Sequence, residues 1–193
     1  MFKIREFFND LQEKHQERKK FKAAFAQLAT DVKAANMASI ERLFEAVTTS
    51  RFFTLDKKEL LLEKAISSDN KEVFIKVLNG ASPDVWFYSH SSSGPEGPHY
   101  SSKEHILHSA INSNSKNIAL FLAQHPKVDV FAQGYKERTV YERGGLFSSG
   151  HQQVQKNPHS LPIVAAKEAG MQEVVDALAE RMKMPQPTNS PKL

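Results

Sequence analysis

The chain contains no cysteine. That absence excludes disulfide cross-links, a thiolate nucleophile and every cysteine-based zinc site, and it suits a reducing compartment such as the cytoplasm. Long apolar runs are missing as well, since no stretch approaches the roughly 18 to 20 residues that a bilayer crossing requires. At the start, Met1-Phe2-Lys3-Ile4-Arg5-Glu6 places charges where the apolar segment of a secretory signal would stand. A long block of one charge sign is also lacking. The formal charge is only +4, and the densest basic stretch, Lys14, Arg18, Lys19, Lys20 and Lys22, is interrupted by Glu13 and Glu17. Such mixing reads as a solvated helix face and argues against a nucleic-acid groove. Gly144-Gly145 follows no strand-to-helix signature, so it is not evidence for a phosphate loop. His125, His151 and His159 have no Ser, Asp or Glu at triad or metal-motif spacing. No catalytic residue, metal ligand or cofactor is assigned, and the chain is expected not to be an enzyme.

What is present is ordinary globular composition, with 40% hydrophobic and 25% charged residues in a chain of 193. That length buries one core, or one repeat array with a short appended element. Internal similarity decides between these. Leu60 to Leu78 and His105 to Ala123 align at an offset of 107 − 62 = 45. Leu62 then meets Leu107, Ala65 meets Ala110, Ile66 meets Ile111, Val73 meets Ile118 and Val77 meets Leu122. The match continues into the exit, where Asp84-Val85-Trp86 meets Asp129-Val130-Phe131. A shared apolar rhythm alone would not produce a shared exit, so the segments are repeats. Leu161 to Leu178 is a third copy.

Each copy reads as two short helices. Leu61, Leu62, Ala65 and Ile66 form one apolar face at helical spacing, Ser67-Ser68-Asp69-Asn70 interrupts it, and Val73, Phe74, Val77 and Leu78 form a second. Asp56 with Glu59 and Ser101 with Glu104 have capping-box spacing, and Pro162 suits a first helical turn. Phe21, Phe25, Leu28 and Val32, then Ile40, Leu43, Phe44 and Val47 with Ser39 as cap, predict a cryptic capping pair over 21–49. Lys183 ends the last helix, and Pro185, Pro187 and Pro191 make the tail non-helical.

The third copy resembles an ankyrin repeat. Pro162-Ile163 stands where that family has Pro-Leu, Ala166 at its first Ala, Gly170 at its inter-helix Gly, and Glu173-Val174-Val175 at the opening of its second helix. Ile106-Leu107-His108-Ser109-Ala110 is similar to the family's Pro-Leu-His-x-Ala. Departures are Leu161 for Thr, Leu61 and Ile106 for Pro, and Asp69 and Asn114 for Gly; Asn and Asp tolerate the left-handed backbone that such a turn needs. The resemblance implies an all-α, ankyrin-like helical solenoid and a role in protein–protein recognition, with His108 tying its turn. The expected organisation is N-terminal helices and capping pair over 1–50, then repeats over 51–184 (about 57–86, 102–131 and 160–183), then a flexible tail over 185–193.

Between copies the links 86–101 and 131–160 are longer than a repeat needs. They occupy equivalent positions, so they are expected on one edge, where they can form a joint surface. They are rich in aromatic residues and arginine, the types that dominate hot spots. Trp86 and Phe131 are expected to tuck beneath their own links. Tyr88, His90, Tyr100, Tyr135, Arg138, Tyr141 and Arg143 are the candidate contacts for a protein partner. Gly94-Pro95-Glu96-Gly97-Pro98 and Ser148-Ser149-Gly150 read as mobile tips.

Two rivals follow from other residues. His90, His99, His105 and His108 could converge as a metal-dependent enzyme site. Phe2, Ile4, Phe7, Phe8 and Leu11 form an apolar strip, so residues 1–14 could lie on a membrane surface, pair with a partner helix, or pack onto the capping pair. The leading expectation is a cytoplasmic, non-catalytic interaction module. An adaptor or effector delivered into a host cell is the extension of that expectation by fold analogy.

Overall fold

The computed structural model describes residues 2–81, 87–92, 99–142 and 151–183, and side chains over 11–80, 104–135 and 157–183. Eight helices and four strands are present among the described residues. The helices are α1 (Phe2–Lys33), α2 (Met37–Thr48), α3 (Leu55–Ser67), α4 (Lys71–Ala81), α5 (Ile106–Asn112), α6 (Lys116–Gln124), α7 (Pro162–Glu168) and α8 (Gln172–Lys183). The strands are β1 (Phe87–Ser92), β2 (His99–His105), β3 (Tyr135–Glu142) and β4 (His151–Pro158).

The helices come in four pairs, and each pair reverses on the same turn. Ala35, Asp69, Asn114 and Gly170 have φ of 53°, 48°, 56° and 70°. Each donates its backbone N–H to the carbonyl three residues back: Val32 at 3.1 Å, Ile66 at 3.0 Å, Ile111 at 3.0 Å and Lys167 at 3.1 Å. The following N–H reaches five residues back in three copies, from Asn36 to Asp31, Ser115 to Ala110 and Met171 to Ala166, all at 2.9 Å. These are Schellman closures, which satisfy carbonyls that a helix end leaves open. In the second pair a hydroxyl completes the link. Ser68 Oγ accepts from the Asn70 N–H at 3.3 Å and donates to the Ala65 carbonyl at 2.7 Å.

The turn residues also measure the repeat. Their intervals are 69 − 35 = 34, 114 − 69 = 45 and 170 − 114 = 56. The increments correspond to added hairpins: nothing but a short link separates α2 from α3, β1 and β2 separate α4 from α5, and β3 and β4 separate α6 from α7. The predicted capping pair is thus built on the same turn as the three copies.

Contacts divide the chain into two compact units, Met1–Pro83 and Asp84–Leu193. In the first, α1 packs on α3 and α2 on α4; in the second, α5 packs on α7 and α6 on α8. Equivalent helices therefore meet inside each unit. Phe21, Phe25, Leu28, Val32, Ile40, Phe44 and Val47 are buried in the first unit with Leu61, Leu62, Ala65, Ile66, Val73, Phe74 and Val77. At Gly80 a methyl group would fall 2.3 Å from the Phe44 ring, so the approach of α2 to α4 requires the bare backbone there. The α1–α2 pair differs from the others at one place. Where the later pairs set Ala65, Ala110 and Ala166 near Val73, Ile118 and Val174, it has Asp31 and Ser39. Ser39 Oγ donates to Asp31 Oδ2 at 2.6 Å, and Gln27 Nε2 donates to both carboxylate oxygens at 3.1 Å, which satisfies a buried charge.

In the second unit, Arg181 of α8 fastens the end of α6. Its guanidinium donates to the carbonyls of Ala123 (3.2 Å), His125 (2.7 Å), Pro126 (3.5 Å) and Val128 (3.0 Å). A fixed planar cation at a helix C-terminus satisfies open carbonyls and favours the helix dipole together.

Several expectations are corrected. The helix pairs stand as predicted, but the links 86–101 and 131–160, expected as enlarged loops, contain strands over residues 87–92, 99–105, 135–142 and 151–158. Asp56 lies inside α3, whose cap position is Thr54; Thr54 Oγ1 donates to Asp56 Oδ1 and no side-chain cap bond is made. Ser101 is a strand residue, and α5 starts after His105. The cap of α2 is Asn36, whose side chain accepts from the Ser39 N–H at 3.4 Å. Phe131 is 40% exposed and does not tuck away. The Asp84-Val85-Trp86 exit, both loop tips and the tail over 185–193 lie outside the described residues.

Two substitutions test this packing. Ala35 carries the left-handed strain that glycine avoids, so Ala35→Gly should raise stability by about 1 kcal/mol, read from the urea midpoint. Arg181→Met should lower it by about 2 to 3 kcal/mol. Arg181→Lys should recover less than half, because one ammonium cannot span four carbonyls.

Candidate binding site

The four strands form one antiparallel sheet in the order β1-β2-β3-β4. Pairing of β2 with β3 joins the two links, although α5, α6 and the turn after them intervene in sequence. Register fixes which residues share a face, because directly opposed residues in an antiparallel ladder lie on the same side. Tyr88 opposes Glu104, His90 opposes Ser102, Tyr100 opposes Arg138, and Arg138 opposes Gln155. With the two-residue alternation of a strand, Tyr88, His90, Tyr100 and Arg138 fall on one face together with Glu104 and Lys136. Lys103 opposes Tyr135, and Tyr141 opposes Gln152, which puts Tyr135 and Tyr141 on the other face with His99 and His105. Six of the seven candidate contacts thus lie in one sheet, split four and two between its faces. Arg143 lies outside the described residues.

The two faces end differently where β2 runs into α5. His105 belongs to the second face and is 1% exposed. Glu104 belongs to the first and is half-buried, at the rim of a cleft of about 670 Å³. That cleft is lined by Glu104, by His108, Ile111 and Asn112 of α5, by Asn114 of the turn, by His159 and Ser160, and by Ala165, Glu168 and Ala169. It is the concavity that sequence reasoning missed. Its members come from three separate segments whose spacing spells no motif, and only the pairing of α5 with α7 brings them together.

Inside the cleft the hydrogen bonding is specific. Asn112 Nδ2 donates to Glu104 Oε1 at 2.6 Å. His108 Nε2 lies 2.6 Å from the Ser160 carbonyl. A carbonyl only accepts, so the proton sits on Nε2 and Nδ1 presents a lone pair. His108 is 2% exposed, and its Nδ1 has no hydrogen-bond partner. The His159 ring stands 5.8 Å from it, with both nitrogens buried and unpartnered. Burial holds His108 below the ordinary histidine range, against the Ser160 bond, with His159 lowering and Glu104 raising it further. His105 is pushed down to about 4 by burial and then by His108, with Asp129 opposing. Both imidazoles are neutral at pH 7.

The first unit has a concavity of its own, about 600 Å³ beside Phe21, Ala24, Val47 and Phe52. The Arg51 guanidinium lies 5.1 Å from the centre of the Phe52 ring and pairs with Glu17 at its edge. Of the four histidines considered for a metal, His90 and His99 are on opposite faces of the sheet. Among the described residues no group of three or more His, Cys, Asp or Glu is placed to hold a metal ion. No helix among the described residues is long and apolar enough to cross a membrane. No family model matches the chain, and no curated protein or solved structure matches it either.

The low value at His105 makes stability depend on pH. Above pH 6.5 the imidazole is neutral in both folded and unfolded chains, and its contribution is fully present. Between 6.5 and about 4 the unfolded chain takes up a proton that the folded one refuses, so stability falls as pH falls. The expected loss is about 3 kcal/mol between pH 7 and pH 4, and His108 acts in the same direction. Urea midpoints across that range should show it, and His105→Gln should flatten the curve.

Proposed function

We propose that the chain is a non-catalytic protein–protein interaction module of degenerate ankyrin-like repeats, an adaptor or effector, acting in the cytoplasm or delivered into a host cell. The observation that supports a binding role is the sheet register, which gathers Tyr88, His90, Tyr100 and Arg138 on one face. Aromatic and arginine side chains supply large contact area with a polar handle, and four paired strands lose little freedom on binding. The buried His105 on the opposite face favours the first face as the one open to a partner. His108 bonding across to Ser160 also fits the ankyrin reading of that histidine. The sheet edges β1 and β4 offer further backbone groups to a partner strand.

A second reading rests on α1. Every residue from Leu11 to Lys20 is exposed, Leu11 by 47%, so this length of α1 is not covered by the unit it belongs to. Residues 1–14 are accordingly the segment through which the protein would touch a membrane surface or a partner helix.

A photo-reactive amino acid placed at Tyr100 and, separately, at Tyr141 tests the leading reading. Cross-linking to one and the same protein from position 100, with little from position 141, is the expected result. Tyr100→Ala with Arg138→Ala should then weaken that complex by roughly 30-fold or more, as loss of hot-spot residues does. Equal cross-linking from both faces, or unchanged affinity of the folded double variant, overturns the assignment.

A further inference from the structure

The cleft between α5 and α7 has an unusual chemical bias. Two carboxylates, Glu104 and Glu168, line it, and no lysine or arginine does. Two of its donors are spent inward: Asn112 Nδ2 on Glu104, and His108 Nε2 on the Ser160 carbonyl. Both carboxylates bring acceptor oxygens to the lining. The His108 Nδ1 lone pair is buried without a partner, and both ring nitrogens of His159 are buried without one. Unpartnered buried acceptors cost stability unless a donor arrives. A ligand that relieves this must bring several N–H donors and a positive charge, and must be flat enough to enter between two helices.

We propose that the cleft is a receptor for a guanidinium group, an arginine side chain carried on a peptide segment of the protein partner. A guanidinium has five donors in one plane, so it can bond Glu104 or Glu168 through two parallel N–H groups and turn a third toward the imidazole pair. A lysine ammonium is a point charge and cannot divide its donors in that plane. The cleft, at about 670 Å³, exceeds one side chain and leaves room for flanking backbone. Glu104 stands on the face that carries Tyr88, His90, Tyr100 and Arg138. The arginine would therefore be the anchor at the base of that face. This inference rests on the reading of the chain as a protein-binding module, and it deepens that reading.

The full chain is titrated with a blocked Gly-Arg-Gly peptide, following the imidazole signals of His108 and His159 by nuclear magnetic resonance. Saturable shifts at both rings are expected. The citrulline peptide, which keeps the shape and loses the charge, should produce none, and the lysine peptide should bind several-fold more weakly. Glu104→Gln, which still accepts from Asn112, and the exposed Glu168→Gln should each weaken the arginine peptide about tenfold. Equal shifts from the citrulline peptide, or no saturable shift from the arginine peptide up to about 10 mM, overturn the proposal. The comparison of peptides is made on the wild-type chain, so misfolding of a variant cannot obscure it. Failure of the partner reading shows separately, in cross-linking from position 100, and arginine binding without such cross-linking would leave the cleft standing as a small-ligand site.

Discussion

A chain of short helices can double back within three residues only if one of them adopts the left-handed conformation, and the rest of this architecture follows from where that residue is placed. Asp69, Asn114 and Gly170 accept it at little cost. Each closes its helix with a backbone bond to the carbonyl three residues back and starts the next helix at the same distance. Asn36, Asn70, Ser115 and Met171 carbonyls receive the N–H groups of Ile40, Phe74, Ala119 and Val175 at 2.9 to 3.0 Å. Because the reversal is constant, the apolar faces of both helices in a pair point the same way. Because every described helix but α1 has 13 residues or fewer, its face is too small to be stable without a neighbour. Packing of first helix on first and second on second is then the arrangement that covers both faces.

The hairpins exploit the same regularity. They are inserted between the second helix of one pair and the first helix of the next. An insertion there leaves the turn and the helix faces untouched. β2 pairs with β3, so the two hairpins share one ladder. Pairing removes the open inner edges that isolated two-stranded ribbons would present, and such ribbons are marginal alone. The sheet therefore joins two hairpins that α5 and α6 separate in sequence.

This explains what could be read from residues and what could not. The offset of 45 was legible because Leu62, Ala65, Ile66, Val73 and Val77 and their counterparts are buried at equivalent depth. The left-handed role of Asp69 and Asn114 was legible from their chemistry. The earlier interval of 34 was hidden, since Asp31 and Ser39 replace the Ala and Val of later copies and Ala35 replaces a turn residue. The strands were hidden for a different reason. Phe-Tyr-Ser-His-Ser-Ser and His-Gln-Gln-Val-Gln-Lys-Asn-Pro have neither β-branched enrichment nor an apolar alternation. Backbone pairing with the hairpin neighbours β2 and β3 holds them, and composition does not report it. The seven candidate contacts were chosen from residue type alone, so their division between two faces could come only from register.

The cleft shows how a structural residue acquires a chemical role. His108 bonds to Ser160 and so ties α5 to the start of α7. An asparagine or glutamine could make that bond too, but its remaining atoms would add a donor to the cleft. An imidazole committed through Nε2 leaves only an acceptor behind, and burial keeps it neutral. Acidity of the neighbouring wall therefore goes unbalanced by any fixed positive charge among the residues lining it. The residue that holds two helix pairs together is also the one that fixes the polarity of the space between them. Any substitution that keeps the fold by replacing His108 with a donor would alter what the cleft accepts, so packing and recognition are coupled at this position.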